Sequence, residues 1–178
     1  MSLKRVFATI LGTAALCASL SGFCQARLKT PDEIAAALLQ PQGWVSDLAG
    51  IFTSPQANYL DSLIGWHEKQ TSVEIALVTI RLDSAEVPSQ DEFADIALAL
   101  LRKWGVGKKE KNNGILILLS TNRRYIRVEV GEGLGMELTD NEAKQIIDTI
   151  MIPAFREGAY FEGIEKGLSA IFRETSGK

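Results

Sequence analysis

The stretch Asn113-Gly114-Ile115-Leu116-Ile117-Leu118-Leu119-Ser120-Thr121-Asn122-Arg123-Arg124-Tyr125-Ile126-Arg127-Val128-Glu129-Val130 carries two strand patterns back to back. Residues 115–119 are apolar at every position. Side chains alternate between the faces of a sheet, so such a run must be buried on both. Residues 125–130 alternate instead, with Ile126, Val128 and Val130 on one side and Tyr125, Arg127 and Glu129 on the other. That strand has one wetter face. The link 120–124 is short enough for a hairpin, so the second strand is expected to run antiparallel to the first.

Upstream, residues 73–80 are again β-branched and apolar on both faces. Between the two buried strands lies Ser89-Gln90-Asp91-Glu92, in which Ser89 and Glu92 can each cap the other's backbone N–H. Phe93, Ile96, Ala97, Leu100, Leu101 and Trp104 follow at helical spacing, and Gly105 supplies a stop. Strand, helix, strand implies a right-handed parallel crossover. An earlier helix opens at Ser54-Pro55 with Leu60, Leu63, Ile64 and His67 on its stripe. A later one opens at Thr139-Asp140-Asn141-Glu142 with Ala143, Ile146, Ile147, Ile150 and Met151 inward, and Pro153 is expected to kink or end it. The last helix is expected from about Tyr160 to Phe172. The fold class is therefore α/β: an α/β/α sandwich whose small mixed β-sheet, built on residues 73–80, 114–119 and 125–130, carries helices on both faces.

The first 26 residues read as a signal peptide: Lys4-Arg5, an apolar run over about 6–20, and a small-residue exit at Ala26. The run is shorter than the roughly 20 residues a membrane span requires. The organisation expected is a signal peptide over 1–26, a lead-in over 27–43 with a helix start at Thr30-Pro31-Asp32-Glu33, and a domain over 44–175. Cleavage would remove two of 19 basic residues and none of 22 acidic ones, moving the formal charge from −3 to −5. An acidic chain argues against a nucleic-acid partner. Cys17 and Cys24 would leave with the leader, and with them any disulfide, thiol nucleophile or cysteine metal site. No membrane span is expected in the mature chain, which would be periplasmic or secreted.

Among chemical motifs, the single histidine, His67, falls on the apolar stripe of its helix and reads as a packed core-edge residue. Gly105-Val106-Gly107-Lys108-Lys109 follows a helix rather than a strand and reads as a helix stop with a basic surface loop, not a phosphate loop. Gly131-Glu132-Gly133-Leu134-Gly135 has the strand-to-helix setting of a dinucleotide loop but spacing too close and charge too acidic for a pyrophosphate, so no organic cofactor is expected. Asp47, Glu132, Glu137 and Asp140 fall in loops after residues 45 and 130, where their carboxylates could converge on a hard cation such as calcium. Equally, Asp47 could close a turn, and Asp140 could serve the dipole at its helix start.

Read in order, Trp44-Val45-Ser46-Asp47-Leu48-Ala49-Gly50, Trp104-Gly105-Val106-Gly107-Lys108, Asn112-Asn113-Gly114-Ile115-Leu116, Arg123-Arg124, Gly131-Glu132-Gly133-Leu134 and Leu138-Thr139-Asp140 resemble the TPM domain family. Ile152-Pro153-Ala154-Phe155, Gly158-Ala159-Tyr160 and Gly163 extend the resemblance. It implies a small α/β/α domain placed outside the cytoplasm, calcium binding through acidic loop residues, and a proposed weak acid phosphatase activity. By that resemblance the acids fall on Asp47 and Asp140. Gly135 stands where the family's glutamate belongs, and Glu137, two positions on, could replace it in an extended stretch. The calcium set expected is then Asp47, Glu137 and Asp140 with backbone carbonyls of residues 131–135; the alternative is that Gly135 marks a decayed site in which only the scaffold function persists.

Two functions follow as expectations. One is a non-catalytic, calcium-responsive binding module that assists or regulates an envelope protein or membrane complex. The other is a slow phosphatase in which Asp47 and Asp140 act with a cation while Arg123 or Arg124 holds phosphate.

Overall fold

The computed structural model describes residues 30–38, 40–82 and 89–177. The expected signal peptide, its cleavage site and both cysteines lie outside the described residues. A mixed sheet of four strands runs in the order β1 (Val45–Asp47), β2 (Glu74–Ile80), β3 (Gly114–Ser120), β4 (Tyr125–Val130). β1, β2 and β3 are parallel, and β4 is antiparallel to β3, with Ile117 opposite both Leu77 and Val128. The hairpin expectation holds. β1 is an addition to the expected sheet: three residues are too few to show a period of two. It is fixed from outside, since the Asp61 carboxylate accepts from Trp44 N–H at 2.7 Å and Val45 N–H at 3.1 Å.

Helices cover both faces, as expected. On one face α2 (Ser54–Thr71) and α6 (Tyr160–Thr175) bury Leu60, Ile64, Ile164, Leu168 and Ile171 against Ile75, Leu77, Ile115, Ile117 and Val128. On the other, α1 (Pro31–Ala37) and α3 (Gln90–Trp104) bury Ile34, Phe93, Ile96 and Leu100 against Ala76, Val78, Leu116 and Leu118. The lead-in helix is thus part of the packed body, and Lys103 Nζ donates to the α1 carbonyls of Ala35 and Ala36 at 3.0 and 2.9 Å. Residues 75–78 of β2 and 115–119 of β3 are apolar at every position because both faces are covered. The sheet advances in one direction while α2 and α3 lie on opposite faces, so the two parallel crossovers have opposite hands.

Capping is written locally. Thr30, Thr53, Ser89 and Thr139 each make a reciprocal capping box, and Gly105 ends α3 at φ 64°. α4 (Asp140–Ile146) does not end at Pro153. It widens into a π-helical turn over Ile147–Met151 and continues as α5 (Ile152–Arg156), which carries Pro153 in its first turn. A proline offers no N–H and crowds the preceding turn, and the wider turn makes room for it.

Candidate functional site

Asp47 ends β1, half-buried, and its carboxylate is fully engaged. It accepts from Ile51 N–H at 3.1 Å and Phe52 N–H at 2.8 Å, and from the buried Thr79 hydroxyl at the end of β2. Thr79 Oγ1 in turn accepts from Ala49 N–H at 3.1 Å. The Asp-Leu-Ala-Gly motif is therefore a clamp that turns the chain from β1 towards α2. Glu137 is exposed and lines a shallow recess with Val73, Lys111 and Asn113, beside the starts of β2 and β3. Asp47 and Glu137 thus sit at opposite ends of the sheet, roughly 20 Å apart for strands of this length. Because β4 runs against its neighbours, the loop after it emerges at the end of the sheet remote from the loop after β1. Asp140, exposed at the start of α4, lines a groove beside β4. The three acids do not converge, and among the described residues no group of three or more Asp, Glu, His or Cys side chains could hold a metal ion. As they stand they do not fit a calcium ion, which takes six to eight oxygens in one shell.

The glycine-rich segments are also structural. Gly133 N–H donates to Asn112 O at 3.0 Å, and a Cβ on Gly133 would lie 1.7 Å from Lys111 O. Only glycine lets the segment after β4 approach the 111–112 backbone this closely. Lys108 Nζ pairs with Glu74 at 2.6 Å and Glu68 at 3.0 Å, and these carboxylates, Glu74 foremost, raise its pKa. His67 is buried and stacked on Phe172 with centroids 4.1 Å apart. Its Nε2 meets Thr175 Oγ1 at 3.0 Å. Thr175 gives its own hydrogen to Ile171 O, so His67 Nε2 is the donor and Nδ1 carries no proton. Burial lowers the pKa of this ring.

What does converge lies at the other edge. A cleft of about 480 Å³ is lined by Leu119, Thr121, Arg124 and Ile126 from the β3–β4 hairpin and by Ile152, Phe155, Arg156, Gly158 and Tyr160 from α5 and the turn into α6. Five of these nine are apolar or aromatic, two are exposed arginines, and none is a carboxylate, so the cleft combines apolar walls with cationic groups. Arg124 lines it; Arg123, half-buried in the same turn, does not. Three departures from regular backbone surround it: Arg124 at φ 57°, Gly158 at φ 76°, and the π-helical turn immediately before Ile152. A left-handed arginine costs roughly 1–2 kcal/mol over a residue that relaxes to the right-handed region, and π-turns gather at functional sites. The Thr121 hydroxyl is shielded and has no hydrogen-bond partner among the described residues. Arg156 and Thr121 were not singled out from the sequence, although Arg156 directly follows the Ile-Pro-Ala-Phe motif.

The cleft is built from motifs that also carry the kinship. The sequence profile of the TPM domain matches residues 45–174. No curated protein matches the chain. Among solved structures, the N-terminal domain of a protein from P. gingivalis is 32% identical over 83% of this chain and 92% of its own, with a TM-score of 0.67. The BA42 protein from the psychrophilic bacterium Bizionia argentinensis is 17% identical, covers 70% of this chain and 81% of its own, and superposes with a TM-score of 0.59. The N-terminal domain of the cg2496 protein from Corynebacterium glutamicum is 15% identical, covers 76% and 81%, and gives 0.57. The last two share the fold; with the first and the matching profile, the conclusion is that this chain belongs to the TPM domain family.

Proposed function

We propose that this domain is a binding module working outside the cytoplasm, and that it takes an amphipathic, anionic group of an envelope partner in the cleft between β4 and the α5–α6 turn. The observation that carries this reading is that Arg124 and Arg156 line one cleft together with apolar and aromatic side chains and no carboxylate. Guanidiniums bind carboxylates through charge-assisted, directional hydrogen bonds, and the apolar side chains beside them suit the non-polar part of an amphipathic ligand. The volume falls within the usual range for ligand sites. Placement outside the cytoplasm rests on Lys4-Arg5, the apolar run and Ala26, and mass spectrometry of the envelope protein should find a chain starting near Arg27.

The same arginines could hold a phosphoryl group, which is the basis of a phosphatase reading. Hydrolysis also needs acids beside it; Asp140 lines the adjoining groove with Arg124, but Asp47 lies on the opposite edge strand, roughly 14 Å away across three strand spacings. Calorimetry with N-acetylphenylalanine, alongside an assay with p-nitrophenyl phosphate, separates the two. The binding reading expects heat of binding that disappears in the Arg124→Ala, Arg156→Ala double variant. Release of p-nitrophenol that Asp47→Asn abolishes would replace it with the phosphatase.

A further inference from the structure

We infer that what enters the cleft is the free C-terminus of an extended partner segment, which adds antiparallel to β4 as a fifth strand. This rests on the reading of the cleft above and names what fills it. β4 is the last strand of the sheet. Gly131 N–H donates to Gly114 O at 2.8 Å, towards β3. Antiparallel ladders alternate, so Tyr125, Arg127 and Glu129 also turn their backbone groups to β3, while Ile126, Val128 and Val130 turn theirs outward, Ile126 and Val130 half-buried and Val128, 2% exposed, at the floor of the groove beside β4. An edge of this kind is a template for another strand, and main-chain pairing with side-chain pockets is a general mode of peptide recognition.

Access to that edge is shaped. Residues 124–128 line a groove of about 470 Å³ flanked by the start of α3 on one side and by α4 and the π-turn on the other. Groove and cleft are continuous, since Arg124, Ile126 and Ile152 line both. A strand laid along the groove reaches the cleft at the start of β4. Charge selects its direction: an antiparallel segment brings a carboxylate to Arg124 and Arg156, whereas a parallel one would bring an ammonium. The last side chain then meets Leu119, Ile152, Phe155 and Tyr160, which suits an apolar or aromatic residue. Along the groove Arg127 is paired with Glu129 at 2.8 Å, and Lys144 with Asp148. Asp91 and Asp140 remain in the lining, so a basic or hydroxyl residue upstream of the terminus is favoured over an acid.

The test is an NMR titration of the 15N-labelled protein with three probes. They are a pool of acetylated hexapeptides randomised before a C-terminal Phe, the same pool N-methylated at the four residues before the last, and N-acetylphenylalanine. The free peptide pool is expected to shift the amides of Ile126, Val128 and Val130 and to slow their hydrogen exchange. N-Methylation, which keeps every side chain and the carboxylate, should weaken binding roughly tenfold or more, to the level of N-acetylphenylalanine. C-terminal amidation of the free pool should weaken it by a similar factor. If both pools and the fragment bind alike and shift only residues of the cleft, strand addition is wrong while the cleft reading stands. Absence of any shift around Arg124, Arg156 and Tyr160 with all three probes would overturn the cleft reading and this inference together.

Discussion

Replacing Asp47 separates a structural clamp from a reactive acid. In the structure its carboxylate satisfies two backbone donors, Ile51 and Phe52, and receives the hydroxyl of Thr79, which is fully buried. The Asp47→Asn side chain would keep one acceptor oxygen and present an NH₂ to groups that are themselves donors. Hydrogen bonds to a charged partner are worth about 1.5–3 kcal/mol each, and the part-buried setting keeps water from replacing them fully, so the loss is about 2 kcal/mol for Asn and about 3 for Ala. For a domain of this size one kcal/mol moves the midpoint by about 2–4 °C, which gives a fall of about 4–8 °C for Asn and 6–12 °C for Ala. Thermal unfolding followed by circular dichroism, run with EDTA and again with millimolar calcium, measures it. The clamp requires the same loss in both conditions and no calcium shift in the wild type. An acid held ready for an ion or a substrate is instead often costly to the empty fold, so an unchanged or raised midpoint for Asp47→Asn would refute the reasoning.

Glycine positions after β4 should differ sharply. Gly133→Ala drives a Cβ against Lys111 O and is expected to destabilise by roughly 2–4 kcal/mol, whereas Gly135→Ala, whose nearest neighbour would be Glu132 O at 3.5 Å, should stay within about 0.5 kcal/mol by denaturant unfolding. Equal costs at the two sites would remove the close-approach explanation. For His67, burial holds the folded pKa below the ordinary 6.5, so the unfolded chain takes up the proton first. The contribution of the neutral ring is therefore complete above pH 6.5 and is lost as pH falls through the folded value. His67→Gln should flatten the decline in unfolding free energy over that window, and parallel curves for the two proteins would contradict the linkage.

The local signals in the chain were strong wherever a short stretch determines its own conformation. The Ser89–Glu92 and Thr139–Glu142 boxes start helices where their spacing requires, and the alternating stretch Tyr125 to Val130 has the bounds of β4. β1 was invisible because it is three residues long and owes its place to Asp61, sixteen residues away from Val45. The hand of the crossovers depends on which face each helix takes, and both faces of β2 and β3 are equally apolar. The acids stay apart for a topological reason. Asp47 and Glu137 each follow a strand, but the strands run in opposite directions, so their loops leave opposite ends of the sheet. The cleft was only half legible: Arg124, Phe155 and Tyr160 stood in recognisable motifs, while Arg156 joins them only because the chain passes through Pro153 by way of the π-turn.

The central claim, that the partner meets this domain at the β4 cleft, is most directly tested by site-specific photo-crosslinking in intact cells. A benzoylphenylalanine replacing Tyr160 probes the cleft, and one replacing Trp66, which is 59% exposed on α2, probes an exposed aromatic position elsewhere. The account expects a discrete adduct from position 160, lost when Arg124 and Arg156 are both changed to Glu and displaced by the C-terminal peptide pool, with none from position 66. The same adduct from position 66, or one from position 160 that persists in the double Glu variant, would contradict it.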